Sequence, residues 1–68
     1  MVIKMIGLYG MGEKWCAWFR KQGDGCFSFT PKKELASVMD ENECKKIMDY
    51  AGWYCLQYSA DKLVVEAA

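Results

Sequence analysis

A short glycine-containing loop between two aromatic runs sets most of the architecture of this chain. Residues 15–19 read Trp-Cys-Ala-Trp-Phe, residues 26–30 read Cys-Phe-Ser-Phe-Thr, and Gly23-Asp24-Gly25 lies between them. Asp-Gly between two apolar runs is a strong signal for a β-hairpin. Because a slip of one residue moves every side chain to the other face, the length of the loop decides which rings lie together.

A three-residue loop with Gly25 left-handed places Gln22 opposite Cys26 and Phe19 opposite Phe29. In that register one face carries Trp15, Ala17, Phe19, Phe27 and Phe29, and the other carries Cys16, Trp18, Arg20, Ser28 and Thr30. A two-residue loop would scatter the rings over both faces, so we prefer the three-residue loop. The hairpin ends at Pro31, because proline cannot donate a hydrogen bond to a sheet.

A helix start follows at Asp40. Asp40 is a good N-cap, Glu43 completes a capping box, and Met39 and Cys44 are spaced for a hydrophobic staple. We expect Gly52 to cap the C-terminus of this helix. Its buried stripe, at i, i+3, i+4 and i+7 spacing, is predicted to be Cys44, Ile47, Met48 and Ala51.

The segment after Gly52 has two interpretations. Cys55 and Tyr58 continue the helical stripe, which would give one helix over residues 41–58. Against this, Trp53, Tyr54 and Tyr58 prefer strands, and a glycine costs a helix interior about 1 kcal/mol. We favour the shorter helix, with an optional extra strand over residues 53–58.

Two further apolar runs, residues 2–9 and 63–65, are predicted as the first and last strands, and residues 32–39 as a connector with a few extended residues. The predicted order is β-β-β-α-β in a single domain of residues 1–68. The fold class is therefore α+β, with a small, mainly antiparallel sheet and one helix packed on one face.

The available chemistry is limited because the chain contains no histidine, the commonest general base near neutral pH and the commonest metal ligand. None of its four cysteines forms a C-x-x-C pair, so neither a zinc site nor a redox motif is indicated. We expect all four to be small buried hydrophobic side chains. The acids around Asp40 are explained by helix capping. We predict a protein that is not an enzyme, with no catalytic residue, cofactor or metal.

The distribution of charged and apolar residues indicates in which cell compartment the protein is expected. Nine Lys/Arg balance nine Asp/Glu, although residues 1–33 carry six basic groups against two acids and residues 34–68 three against seven. The longest charge-free run, residues 50–60, is much shorter than the roughly 20 residues that a membrane span needs. With no signal peptide recognised and four cysteines, we expect a cytoplasmic protein that does not enter the membrane.

The chain carries three Trp, four Tyr and three Phe, more large rings than a core of this size can cover. A domain this small buries only about 60% of the surface that its unfolded chain exposes. Trp, Tyr and Arg are the usual anchors of protein interfaces. We therefore predict a protein-binding module whose contact residues are Trp18, Arg20, Tyr50, Trp53 and Tyr54.

Two other functions stay open. Trp18, Arg20 and Lys21 put aromatic and basic groups on one hairpin, as in proteins that stack the bases of single-stranded nucleic acid. We rank this function below protein binding because the basic density is low. Alternatively, a second copy covers the surplus rings, and the protein is a structural homodimer.

The layout resembles that of small open reading frames of phages and mobile elements. The shared features are the aromatic hairpin, Ala36 ahead of the acidic helix start at residues 40–43, and the terminal run at residues 63–66. The resemblance implies a stoichiometric binder of a host protein, including inhibitors of bacterial defence such as anti-CRISPR proteins. Many such inhibitors are strongly acidic mimics of nucleic acid. This neutral chain departs from that pattern, so contact by shape and apolar surface is expected instead.

Overall fold

The computed structural model describes residues 1–68, which form a four-stranded antiparallel sheet with two short helices on one of its faces. The predicted α+β class is confirmed. The order of strands across the sheet is β3-β2-β1-β4, so the first strand of the chain pairs with the last. In chain order the elements are β1 (Val2–Leu8), β2 (Lys14–Lys21), β3 (Phe27–Thr30), a 3-10 turn (Lys33–Leu35), α1 (Glu41–Met48), α2 (Ala51–Tyr58) and β4 (Lys62–Glu66).

The hairpin of β2 and β3 has the predicted register. Phe19 pairs with Phe29, and the Gln22 amide donates a 2.9 Å hydrogen bond to the Cys26 carbonyl. Three consecutive residues in the loop have positive φ: 80° at Gly23, 48° at Asp24 and 78° at Gly25. Glycine fits two of these positions because it lacks the Cβ that penalises left-handed backbone. Four rings of β2 and β3 consequently point to the helix side of the sheet, namely Trp15, Phe19, Phe27 and Phe29, and Trp18 points to the other side.

The core lies between this face of the sheet and the helices. It consists of six buried side chains from every layer of the fold: Ile3, Met5, Phe19, Met39, Cys44 and Leu63. The predicted N-cap is confirmed, because the Asp40 carboxylate accepts a 2.8 Å hydrogen bond from the Glu43 amide. The connector enters α1 along the sheet, where the Ser37 amide donates to the Phe19 carbonyl and the Met39 amide to the Met1 carbonyl.

The prediction of a single helix is wrong, and so is the optional strand over residues 53–58. The chain leaves helical geometry at Tyr50, whose φ and ψ are −107° and 18°, and a second helix begins at Ala51. Gly52, expected as a C-cap, lies in the first turn of α2. The preference of the aromatic residues for strands is overridden by packing, since Tyr54 and Tyr58 lie against Phe27 and Phe29. No helix of the fold combines the length and apolar character needed to traverse a bilayer.

Candidate functional site

A cluster of aromatic rings fixes α2 against the hairpin. The Tyr54 ring lies at the centre, with its centroid 5.1 Å from that of Phe27, 6.0 Å from Phe29 and 6.1 Å from Phe19. Tyr58 meets Phe29 at 5.0 Å in an edge-to-face arrangement. Such pairs contribute about 0.5–1.5 kcal/mol each beyond the area that they bury. Phe27 and Phe29 point to the same face because side chains alternate along β3, and Tyr54 and Tyr58 lie on the same side of α2 because they are four residues apart. These two periodicities together bring the four rings into contact.

The outer side of the same helix is apolar and uncovered. Tyr50, Trp53 and Leu56 are spaced three residues apart and are 66%, 50% and 77% exposed; we call these three residues the α2 stripe. The sequence of α2, Ala-Gly-Trp-Tyr-Cys-Leu-Gln-Tyr, contains no charged residue. A helix that is apolar on all sides is normally buried on all sides. Here one side packs on the sheet and the other faces solvent.

Two shallow depressions lie beside the ring cluster, and one of them borders Tyr50 and Trp53 of the stripe. One, of about 380 Å³, is lined only by aromatic side chains: Phe27, Tyr50, Trp53 and Tyr54. The other, of about 370 Å³, lies between the hairpin loop and Ile47 and shares Phe27 and Tyr54 with the first. The two shared rings form the ridge between the depressions, and each depression is large enough to receive a side chain of another molecule.

The five predicted contact residues fall on two surfaces. Tyr50, Trp53 and Tyr54 lie together on the helix side, and Trp18 and Arg20 lie on the opposite face of the sheet. Leu56 was not predicted as a contact residue, although it is the most exposed member of the α2 stripe. Leu56 lies in the charge-free run, three residues after Trp53, which is helical spacing. That spacing places Leu56 beside Trp53 only if residues 53–58 form a helix, and the strand interpretation hid it.

Trp18 is half-buried and tied to the last strand. Its indole Nε1 donates a 2.6 Å hydrogen bond to the Glu66 carboxylate, and the Lys4 ammonium lies 5.7 Å from the ring centroid. Lys33 also pairs with Glu66, at 3.3 Å. The Trp18 hydrogen bond, followed by the bond and charge of Lys33, lowers the pKa of Glu66 below its ordinary value. Trp18 is therefore held flat across the sheet.

Lys21, which the nucleic-acid hypothesis grouped with Trp18 and Arg20, turns to the other side. It lies on the helix face of β2 and forms an ion pair with Glu43 of α1. This follows from strand alternation, because neighbouring residues of β2 point to opposite faces. The pair connects the end of the hairpin to the first turn of α1.

The four cysteines are free thiols in different environments. Cys44 is buried as expected, Cys16 and Cys55 are half-buried, and Cys26 is exposed. The expectation that all four are buried is thus wrong for Cys26, which lies at the end of the hairpin loop before β3 begins. Burial raises the pKa of the Cys55 thiol, as it raises the pKa of the Tyr54 hydroxyl.

The geometry defines an uncovered aromatic helix face on a two-layer α+β domain. No protein-family model matches the chain, and neither a curated protein nor a solved structure matches it at a significant level.

Proposed function

We propose that this chain is a non-enzymatic protein-binding module and that the α2 stripe is the centre of its contact surface. The observation that carries the proposal is the charge-free helix α2, whose outer side exposes Tyr50, Trp53 and Leu56 to solvent. Interfaces of protein complexes have an apolar centre, often aromatic, surrounded by polar residues. Asp49 and Gln57, both exposed, provide polar neighbours to the stripe.

The shape of the surface favours a protein partner over a small molecule. Small-molecule sites enclose most of the ligand and combine apolar walls with a few placed polar groups. Both depressions are shallow, and the one lined by Tyr50 and Trp53 presents rings alone. An aromatic or aliphatic side chain projecting from a partner surface fits this geometry. Tyr54 and Phe27, the ridge between the two depressions, hold each other in an edge-to-face contact.

In its finer form the proposal is that the partner is a host protein, bound in the cytoplasm, and that binding blocks a surface of that partner. The resemblance to small phage and mobile-element open reading frames, including anti-CRISPR inhibitors, supports this form. The equal numbers of acidic and basic residues support contact by shape and apolar area over mimicry of nucleic acid. The stripe then blocks that surface by binding to it in a one-to-one complex.

The test compares matched truncations of exposed aliphatic side chains. Leu56→Ala shortens the stripe, and Val38→Ala shortens an equally accessible side chain that is 70% exposed in the connector. Wild type, Leu56→Ala, Val38→Ala and Trp53→Ala are each immobilised and incubated with lysate of the host cells. The proteins retained by each are quantified by mass spectrometry. We expect one protein retained at equimolar amount by wild type and Val38→Ala. Trp53→Ala, which removes a central anchor worth about 2 kcal/mol or more, should reduce its affinity roughly 30-fold.

Two outcomes would contradict the proposal. Equal retention by wild type, Trp53→Ala and Leu56→Ala would remove the stripe from the interface. Light scattering that shows a dimer at micromolar concentration, converted to a monomer by Trp53→Ala, would assign the stripe to a homodimer instead.

A further inference from the structure

The sheet has a second surface, on the face turned away from the helices. Successive residues of a strand point to opposite faces. The paired residues Met5 and Leu63 are buried on the core side, so the adjacent residues Lys4 and Lys62 point to the other side. Only the connector approaches this second face, at its Val2 end. We call it the open face.

Charge on the open face is strongly one-sided. Four cations project onto it from three strands: Lys4 of β1, Lys14 and Arg20 of β2, and Lys62 of β4. None of the four takes part in an ion pair. Glu66 is the only acid of the strands, and Lys33 already pairs with it. The zero net charge of the chain therefore conceals a basic face, with the remaining acids in the loops and helices.

Trp18 is the one ring that the strands place on this face, and it occupies the middle. It lies opposite Lys4 on β1 and two residues from Arg20 on its own strand. The hydrogen bond to Glu66 on β4 spans the intervening strand, so the indole lies along the sheet instead of projecting from it. Lys14 and Arg20 lie about 20 Å apart along β2. The open face therefore has a ring at its centre and cations around it.

From this arrangement we infer that the open face binds single-stranded nucleic acid, with Lys4, Lys14, Arg20 and Lys62 on the phosphates and Trp18 against a base. Lys4, whose ammonium lies 5.7 Å from the ring centroid in the free protein, moves from the ring to a phosphate when the base stacks. Phosphates attract such a set of unpaired cations, and a base stacks on an indole whatever its sequence. The face of a four-stranded sheet is wider than the major groove of a duplex, which is about 12 Å across, whereas the unstacked bases of a single strand can reach the open face. This inference is independent of the α2 stripe, which lies on the other side of the sheet.

The experiment measures binding of a fluorescein-labelled 15-nucleotide oligothymidylate by fluorescence anisotropy over a range of salt concentrations. With four phosphate contacts, the slope of log affinity against log salt is expected to be about −3. The same-length duplex and vesicles of phosphatidylserine and phosphatidylcholine serve as competing probes. The oligothymidylate should bind more tightly than either.

Matched double variants test whether the open face is responsible. Lys14→Gln with Lys62→Gln removes two cations from the open face, and Lys45→Gln with Lys46→Gln removes two exposed cations from α1. Both carry the same change in net charge. The first should weaken binding about tenfold and make the salt slope shallower by about 1.4, and the second should leave the slope unchanged.

Trp18→Leu tests the stacking. Loss of one stacked base should weaken oligothymidylate binding roughly five- to 150-fold and reduce its advantage over the duplex. The inference is overturned if no binding occurs at about 10 mM salt, where the Debye length is about 30 Å and charge contacts are weakly screened. Equal weakening by the two lysine pairs, or binding to duplex or vesicles as tight as to the oligothymidylate, would also overturn it. Capture of a protein through Trp53 would be unaffected by these results.

Discussion

The contact between Trp18 and Glu66 joins the middle of the sheet to its edge strand. The indole N–H donates to a carboxylate that also pairs with Lys33, and the Lys4 ammonium lies over the ring. A hydrogen bond to the charged form of a carboxyl group lowers its pKa, because protonation removes the negative charge that strengthens the bond. Glu66 is thus a direct reporter of how Trp18 is held.

Replacing Trp18 with Phe should raise the pKa of Glu66 toward its ordinary value, because the ring remains but the donor is lost. In wild type this carboxylate stabilises the fold above its unfolded pKa of about 4.3, and that contribution disappears as the pH falls through the lowered folded pKa. Titration of the Glu66 carboxyl carbon by NMR measures the shift, with Trp53→Phe as a control on the other side of the sheet. A pKa that does not move in Trp18→Phe would contradict the role of the hydrogen bond.

The raised pKa values of Tyr54 and Cys55 should make the fold less stable at alkaline pH. Burial is the main reason that the pKa values of both are raised, with the neighbouring Tyr58 and Tyr50 adding to the effect at Tyr54. The unfolded chain ionises first, near pH 8.5 for cysteine and about 10 for tyrosine, so stability falls as the pH rises past these values. In urea unfolding, Tyr54→Phe should lose less stability than wild type between about pH 10 and 11. An identical loss in the two proteins would exclude Tyr54 as a cause.

Among the elements, α2 is the one that the local sequence did not predict correctly. The loop glycines and Asp40 act on neighbouring residues, so the hairpin register and the start of α1 were predictable from the sequence. The helical state of residues 51–58 depends instead on rings distant in the chain, since Tyr54 packs on Phe27. Locally, the spacing of Cys55 and Tyr58 indicated a helix and the strand preference of Trp and Tyr indicated a strand, so the local signals conflicted.

Gly7 in the sheet and Gly52 in a helix should respond in opposite ways to replacement by alanine. A Cβ on Gly7 of β1 would overlap the Trp15 indole, whereas a Cβ on Gly52 of α2 meets open space and its backbone is helical. Gly7→Ala should therefore destabilise the fold by about 1–3 kcal/mol, because the ring must move. Gly52→Ala should stabilise it by about 0.4–1 kcal/mol by restricting the unfolded chain. Urea unfolding measures both. Equal effects of the same sign would contradict the packing described at Gly7.

For the protein as a single unit, the order of charges along the chain differs from their order in space. The sequence divides into a basic first half and an acidic second half, yet Lys62 from the second half joins Lys4 and Lys14 on the open face. Pairing of β1 with β4 is what brings them together. The same pairing, and the packing of α2, divide the predicted contact residues between two sides. The residue types of the site were predictable, but their grouping required the topology.

The small core separates residues that hold the fold from residues available for binding. Met5 is fully buried and Leu56 is 77% exposed. Truncating a core Met to Ala costs about 2–5 kcal/mol. A chain of this length is expected to have only about 3–10 kcal/mol of total stability. In urea titrations Met5→Ala should therefore lower the free energy of unfolding by about 2–5 kcal/mol, a large share of the total. Leu56→Ala should change the free energy of unfolding by less than about 0.5 kcal/mol.

This contrast bears directly on the binding proposals, because a stripe that can be shortened without loss of stability is free to serve a partner. If Leu56→Ala destabilised the isolated protein as much as Met5→Ala, Leu56 would belong to a covered surface, and the most direct explanation would be a second copy packed on α2. In that case the loss of stability would depend on protein concentration, since unfolding would also dissociate the dimer. Repeating the two titrations at tenfold different concentrations therefore distinguishes a monomer that presents the α2 stripe from an assembly that has already used it.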